Sequence, residues 1–482
     1  MNFRLILRFI GLLTLFLGIS MLIPLAVSLY YKDGSTYTFI LSIVICCILG
    51  GAFAFFLRSS DKENLSHKDG VVIVTLSWIN AGLIGAIPFL LSGVISDFTS
   101  AYFESISGFT TTGSTIFLDI ESLPNSILLW RSEMQWLGGM GIIVLSIAVL
   151  PYLGVGGMQL YKAEVPSPIV NKLTPRISGT AKVLWFVYVS MTAIQVIILL
   201  FGGMNLFDAV CHSFSTLPTG GFSPKNTSLA GYNSPFFDYI ILFFMVLSGM
   251  SFAIHFKLFK GNINILKRNN EFYAYLIIML VFSLAVTLDL YGTIYESLTQ
   301  AFRHASFQIA SIITTTGFTT ANYEEWPHLS KIIIFLSMFL GGMAGSTAGG
   351  IKIMRIILMG KHTYQQIIKI IHPHSVTSVK LMNISVPHPV MNSIWGFFFL
   401  FLGLFVICAC LLAAIGLDWE SAIGGSIAAI GNIGPGFGTV GPYSNYHNVP
   451  ITAKWLLSFC MLFGRLEIYT VIVLLVPEFW KK

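Results

Sequence analysis

A chain of 482 residues that is 55% hydrophobic, 14% aromatic and only 10% charged has too few ionisable side chains for a soluble multidomain enzyme. Its mean hydropathy of +0.80 marks a polytopic membrane protein instead. The net charge of +6 does not imply a nucleic-acid partner, because the basic residues sort by membrane side.

In chain order, apolar runs near the ~20 residues that a spanning helix needs occur at 9–30, 36–57, 71–95, 126–153, 178–203, 234–256, 273–291, 331–359, 391–416 and 452–478. Arg4 and Arg8 precede the first run, as in a signal peptide. That run is too long and lacks a small-residue cleavage site, so it reads as a retained helix. With the N-terminus inside, the loops near 58–69, 153–182, 256–269 and 352–391, together with both termini, hold 20 of the 27 Lys and Arg. The outer loops and outer helix ends hold 6, and Arg465 lies within a span. That asymmetry predicts cytoplasmic N- and C-termini by the positive-inside rule, and it makes the basic stretches orientation signals. The six cysteines (Cys46, Cys47, Cys211, Cys408, Cys410 and Cys460) sit in apolar segments without metal-ligand spacing and read as packing residues.

One phrase recurs four times between spans: Ala101–Gly113, Ala209–Gly221, Ala305–Gly317 and Ala422–Gly434. With the final glycines aligned, an alanine falls twelve positions upstream in every copy. A small residue falls six upstream (Ser107, Ser215, Ser311, Ala428) and an apolar one four upstream (Phe109, Leu217, Ile313, Ile430). About 12 helical residues reach roughly 18 Å, too short for a ~30 Å hydrocarbon core. Each phrase therefore predicts a re-entrant loop, a short helix that descends and an extended segment that returns. Asp97, Asp208, Glu296 and Asp418 stand ahead of the phrases as expected helix caps.

The helix C-termini then point their partial negative charge at the middle of the membrane, where a cation is favoured. Four such segments around an axis can present rings of carbonyls that replace the hydration shell of a monovalent cation. The expected ligands are Thr111, Thr112 and Gly113; Thr219, Gly220 and Gly221; Thr315, Thr316 and Gly317; and Asn432, Ile433 and Gly434. Close helix packing through small residues explains one TTTG but not four at matched spacing.

Two further elements lie within spans. Gly341, Gly342, Gly345, Gly349 and Gly350, with Ser346 and Thr347 among them, make residues 341–350 a poor continuous helix. Unwound backbone there would suit a movable plug; a close helix crossing is the plainer alternative. Arg465 is costly inside a span and must find water or a partner, or else snorkel to the interface. Glu467, two residues on, does not share its helix face. Arg131 and Glu133 read as a structural pair. His372 and His374 are too isolated to suggest a metal site.

These residues carry a resemblance. TTTGS at 110–114, QWLGGMG at 135–141, GGFS at 220–223, TTTGFTT at 314–320, GGMAGSTAGG at 341–350, GNIGPG at 431–436 and LFGRLEIYT at 462–470 are similar to motifs of the TrkH/KtrB/HKT superfamily. The likeness to these cation transporters covers essentially the whole chain and lies closest to the bacterial TrkH-like potassium-uptake members. It implies an all-α polytopic fold of four M1–pore helix–M2 repeats in pseudo-fourfold arrangement after an N-terminal two-helix hairpin. The corresponding boundaries are 1–57 for the hairpin and 58–160, 161–262, 263–375 and 376–482 for the repeats.

The resemblance further implies a homodimer in the bacterial inner membrane, surrounded by lipid, with a TrkA-like cytosolic ring of nucleotide-binding regulatory subunits. No covalent cofactor is expected, and K+ is the transported ion, since glycine at all four filter positions goes with potassium in such proteins. The resemblance makes 341–350 a gate and places Arg465 just below the filter. Pro218, which is expected to end the second short helix early, and Ala348 depart from the usual pattern.

Three alternative readings compete. A sodium-permeable or weakly selective transporter would share the fold. A membrane enzyme would need clustered intramembrane ionisable residues, which are lacking. An inverted-repeat transporter would need antiparallel repeats, whereas these four run in one orientation.

Overall fold

The computed structural model describes residues 1–56, 66–148, 177–267, 269–375, 378–381 and 384–481. The loop residues 58–65 and 153–176, the boundaries at 57/58 and 160/161, and the start of the fourth repeat at 376 lie outside the described residues.

Helices α1 (Phe3–Ser20) and α2 (Leu22–Tyr31) run as one span and return through α3 (Thr36–Phe56). Gly11 and Gly50 let the two arms touch: a β-carbon on Gly50 would sit 2.7 Å from the Gly11 carbonyl oxygen. Asp33, in the turn after α2, accepts hydrogen bonds from Ser28 Oγ at 2.6 Å and from Ser126 N–H at 2.8 Å. The second of these ties the hairpin to the next unit.

The remainder repeats one arrangement four times. First come α4 (His67–Leu91), the short α5 (Phe98–Phe109) and α6 (Asn125–Ala148). Next are α7 (Ile177–Phe201), the short α8 (Leu206–Thr216) and the pair α9 (Pro235–Ser248) and α10 (Phe252–Phe259). After one helical turn, α11 (Asn264–Lys267), follow α12 (Asn270–Leu290), the short α13 (Leu298–Ile313), α14 (His328–Ser337) and α15 (Ile353–Ile371). A minimal hairpin of β1 (Lys380–Leu381) and β2 (Ile384–Ser385) leads to the last group. That group is α16 (His388–Ile415), the short α17 (Trp419–Gly431), α18 (Ile451–Arg465), α19 (Tyr469–Leu475) and α20 (Pro477–Trp480).

Burial is inverted relative to a water-soluble protein. The spans expose apolar side chains such as Phe201, Leu288, Phe399 and Ile407, whereas every residue of α5 from Ser100 to Phe109 is buried. The short helices thus form the centre and the long apolar helices the lipid-facing wall.

Six helical stretches among the described residues are long and apolar enough to cross a membrane: Phe3–Tyr31, Thr36–Phe55, Lys68–Leu91, Lys182–Phe201, Asn270–Leu290 and His388–Ile415. Three of the expected continuous spans are broken instead. The run at 234–256 bends by 101° between α9 and α10, and the run at 452–478 by 118° between α18 and α19. The first break frees the Gly249 carbonyl, which accepts the N–H of Met343 at 2.8 Å. The second follows from left-handed backbone at Glu467 (φ 55°) and Ile468 (φ 53°), which no helix accommodates. The run at 331–359 is interrupted between α14 and α15 by the glycine-rich loop.

The expected acidic caps hold at two of four positions. Asp97 and Asp418 accept from the N–H groups of Ser100 (2.8 Å) and Ser421 (3.0 Å). Hydrogen bonds from Ser421 hold the Asp418 carboxyl below the usual carboxylate range. Asn205, not Asp208, caps α8, accepting from the Asp208 N–H at 2.8 Å, and Ser297 rather than Glu296 precedes α13.

Candidate functional site: a ring of four glycines

Each short helix stops three to five residues before its glycine and hands over to the same backbone turn. Thr111 (φ 53°), Thr219 (φ 59°), Thr315 (φ 56°) and Asn432 (φ 54°) are all left-handed, an unusual conformation for non-glycine residues. Gly113, Gly221, Gly317 and Gly434 are left-handed too, at 81° to 104°. Left-handed residues two apart twist the strand so that its N–H groups turn back into the protein.

Those N–H groups find one acceptor in every copy. The N–H of Thr112, Gly220, Thr316 and Ile433 reach the carbonyls of Ser107, Ser215, Ser311 and Ala428 at 2.8 to 2.9 Å. This is the small position six residues before each glycine, and its carbonyl is the one the turn must reach. With these donors satisfied inside, the strand carbonyls of the ring need not receive them.

The four strands close a ring. A β-carbon built on Gly113 would strike the carbonyl oxygen of Gly220, and one on Gly221 that of Thr316. One on Gly317 would strike that of Ile433, and one on Gly434 that of Thr112. All four approaches are inside 3.0 Å, closer than real β-carbons come. Each glycine therefore faces the residue before the glycine of the next strand, in the order one, two, three, four and back to one. On one side the ring opens into a solvent-facing vestibule lined by all four glycines with Asn226, Ser444 and Tyr446.

The strands are held from behind in different ways. In the first and third, Thr110–Thr112 and Thr314–Thr316 hydroxyls pair at 2.8 Å, and Ser107 and Ser311 donate to the carbonyls of Ser114 and Phe318. The second is gripped by Gln135 from α6. In the fourth, Asn432 Nδ2 donates to Thr112 Oγ1 (3.0 Å) and the Met461 carbonyl (2.9 Å), and Ser114 and Tyr446 hydroxyls donate to the Gly434 carbonyl. Pro218 ends α8 one aligned position earlier than α5 and α13 end.

Arg131 does not pair with Glu133. Its guanidinium meets Glu104 of α5 at 2.8 Å, both side chains being almost wholly buried, and lies over the Phe222 ring at 4.2 Å. Glu104 also accepts from Thr115 Oγ1 and the Ile116 N–H, so the pair braces the exits of the first two strands. Glu133 is buried beside it with neither carboxyl oxygen hydrogen-bonded among the described residues.

Opposite the vestibule, residues 341–350 lie against the base of the ring. Gly341 N–H to the Ile351 carbonyl (2.8 Å) closes the neck of the loop. Ala344 N–H reaches Glu271, Thr347 Oγ1 reaches the Leu217 carbonyl (3.0 Å), and the Gly345 carbonyl accepts from the Phe252 N–H. Gly349 makes the direct contact with the ring strands: its N–H donates to Thr315 Oγ1 at 2.7 Å, and its missing β-carbon would overlap the Gly431 carbonyl. Gly342 presses on the Gly249 carbonyl, Gly345 (φ 76°) and Gly350 (φ 63°) turn left-handed, and Ser346 receives Lys352 Nζ.

Arg465 does not snorkel. It is 3% exposed and donates from Nη1 to the Thr347 carbonyl (2.7 Å) and from Nη2 to the Gly138 carbonyl (3.2 Å), joining the loop to α6 and α18. Glu467 pairs elsewhere, with Arg355 at 2.8 Å.

The predicted filter residues thus come together in one ring and the loop residues beneath it. Sequence reasoning missed Glu104 and Gln135 as braces. Gln135 stood in a motif, but nothing in its spacing named Gly220 as its partner.

A model of the TrkH family, described as cation transport protein, matches residues 36–482. The chain belongs to that family. It is a family of transporters, not enzymes. The chain is 40% identical over 490 residues to the Trk system potassium uptake protein TrkH of Salmonella typhimurium, covering 100% of both. It is 34% identical to Trk system potassium uptake protein TrkG of Escherichia coli K12, covering 99% of each. The crystal structure of the potassium transporter TrkH from Vibrio parahaemolyticus superposes with a TM-score of 0.92 at 38% identity over the full length of both chains.

The Glu104–Arg131 pair predicts a stability effect. Glu104→Ala strands a buried guanidinium and should cost about 3–5 kcal/mol, read as a lower melting temperature in detergent. Glu104→Gln, which keeps an acceptor for Ile116, should lose less. Equal melting of Glu104→Ala and the native protein would remove the pair as a brace.

Proposed function

We propose that the protein takes up potassium across a bacterial inner membrane through the four-glycine ring, with residues 341–350 as the gate. The observation that carries this reading is the ring itself. Four left-handed glycines, each facing the next strand's carbonyl, leave oxygens as the lining where four helix C-termini converge. Such a lining favours a dehydrated monovalent cation. The names of the relatives at 34–40% identity, all potassium uptake proteins, support potassium over sodium. Glycine at all four positions agrees with that choice.

Thr111–Gly113, Thr219–Gly221, Thr315–Gly317 and Asn432–Gly434 supply the ligands. The vestibule faces outward and the loop faces the cytoplasm, an orientation that the distribution of Lys and Arg supports. The four repeats follow the boundaries given above. A regulatory ring of nucleotide-binding subunits acts on the gate from the cytosolic side, and the transporter works as a homodimer.

The loop and Arg465 oppose the ring. Thr347 and Gly349 fill the space beneath it, and Arg465 places a positive charge there. A unit charge about 7 Å from a permeant ion at an effective dielectric of ~20 costs roughly 2.4 kcal/mol. Water in the cavity would lower this to a barrier on the order of 1 kcal/mol.

Three outcomes follow. Gly113→Ser pushes a side chain into the Gly220 carbonyl and should weaken discrimination against sodium in replacement-flux assays; unchanged permeability ratios in serine variants at all four glycines would end the filter assignment. Deleting part of 343–349, whose neck is already closed by Gly341 and Ile351, should raise flux and reduce dependence on the cytosolic regulator. A deletion that assembles with native flux would leave the loop a packing element. Arg465→Ala should speed cation flux several-fold with potassium preference kept, and equal or slower flux in an assembled variant would remove the electrostatic barrier.

A further inference from the structure

The second strand of the ring is the odd one. It reads Pro218–Thr219–Gly220–Gly221 where the first and third read Thr–Thr–Thr–Gly. Those two strands clip themselves, through Thr110–Thr112 and Thr314–Thr316 hydroxyl pairs at 2.8 Å. Proline has no hydroxyl and glycine no side chain, so strand two has no such clip. The fourth strand closes on itself through packing instead: a β-carbon on Gly431 would lie 2.9 Å from Ile433 Cδ1.

What occupies the clip's place in strand two comes from another helix. Gln135 on α6 is wholly buried. Its Nε2 donates to the Gly220 carbonyl at 2.6 Å, and its Oε1 accepts from the Phe222 N–H at 3.0 Å, so one amide spans the filter glycine from both sides. A β-carbon on Gly220 would collide with that amide, and one on Gly139, a turn further along α6, with Pro218. Pro218, Gly220, Gln135 and Gly139 therefore form one interlocking unit. Each residue's identity is explained by another's.

We propose that Gln135 is a selectivity-determining positioning residue that does for strand two what the threonine clips do for strands one and three. This rests on reading the ring as the selectivity filter. The Gly220 carbonyl is the oxygen that Gly113 faces, so its position sets the width of the ring between strands one and two. A carbonyl oxygen has two lone pairs; the amide holds one and leaves the other for an ion. Without the amide that oxygen can move inward and suit the smaller sodium ion, because a liganding group is only as well placed as its support.

The test uses the full-length protein in proteoliposomes, measuring potassium against sodium flux. Gln135→Met, similar in volume but without the amide, should lower the potassium-to-sodium ratio about tenfold, the worth of roughly one buried hydrogen bond. Gln135→Asn, one methylene short, should fall between. Should the Met variant not assemble, Gln135→Asn carries the same decision, and differential stabilisation of detergent-solubilised protein by KCl over NaCl gives a readout independent of flux.

The sharper arm is a graft. Gly220→Thr alone should be severely impaired, because it strikes Gln135. Combined with Pro218→Thr and Gln135→Ala it rebuilds a threonine clip and should return the ratio to within a few-fold of native. A purely structural role for Gln135 would not give selectivity that is lost singly and regained in combination. Native ratios in both Gln135→Met and Gln135→Asn would overturn the proposal, as would a graft that fails to assemble or restore. Gly221→Ser, run alongside, separates the two levels: if it too keeps the native ratio, the filter reading itself falls, and if it alone loses discrimination, only the role of Gln135 does.

Discussion

A carbonyl oxygen and an absent β-carbon set the terms for this molecule. At each of Gly113, Gly221, Gly317 and Gly434 the neighbouring strand's oxygen occupies the space a side chain would need. That approach requires left-handed glycine, and a left-handed residue two positions earlier to turn the N–H groups away. The carbonyl six residues back receives those N–H groups, which fixes where the short helix must end. Helix length, helix direction and the buried position of the short helices all follow from closing this ring.

The same device recurs a layer below. A β-carbon on Gly138 would strike the Phe109 carbonyl, one on Gly464 the Ile430 carbonyl and one on Gly349 the Gly431 carbonyl. The helices and the loop beneath the ring thus press backbone against backbone. Into that layer Arg465 brings one charge, whose Nη1 and Nη2 donate to the carbonyls of Thr347 and Gly138. A buried guanidinium that depends on a loop carbonyl is a sensitive joint, since movement of the loop leaves it short of an acceptor.

The sequence made the repeated parts legible and the unrepeated parts obscure. Four phrases at matched spacing revealed the ring strands, the short helices and the glycine ends, because identical backbone turns demand similar residues. Asn205 as a cap in place of Asp208 shows how the same need can be met one turn-position away by a different side chain. Long-range pairings left no periodic trace: Arg131 with Glu104 across 27 residues, Gln135 with Gly220 across 85, Arg355 with Glu467 across 112. The helix break at Glu467 and Ile468 was hidden because neither residue type signals left-handed backbone. The break after Ser248 was hidden because the Gly249 carbonyl it frees finds its partner, the Met343 N–H, nearly a hundred residues away.

The central claim, that potassium is held by backbone oxygens inside the four-glycine ring, is tested most directly by anomalous diffraction from crystals grown with rubidium or thallium in place of potassium. The account predicts anomalous density on the ring axis, level with the strand carbonyls of Thr112, Gly220, Thr316 and Ile433, and its loss when sodium replaces the heavier ion. Density confined to the vestibule, or equal occupancy of the ring site in sodium, would contradict it.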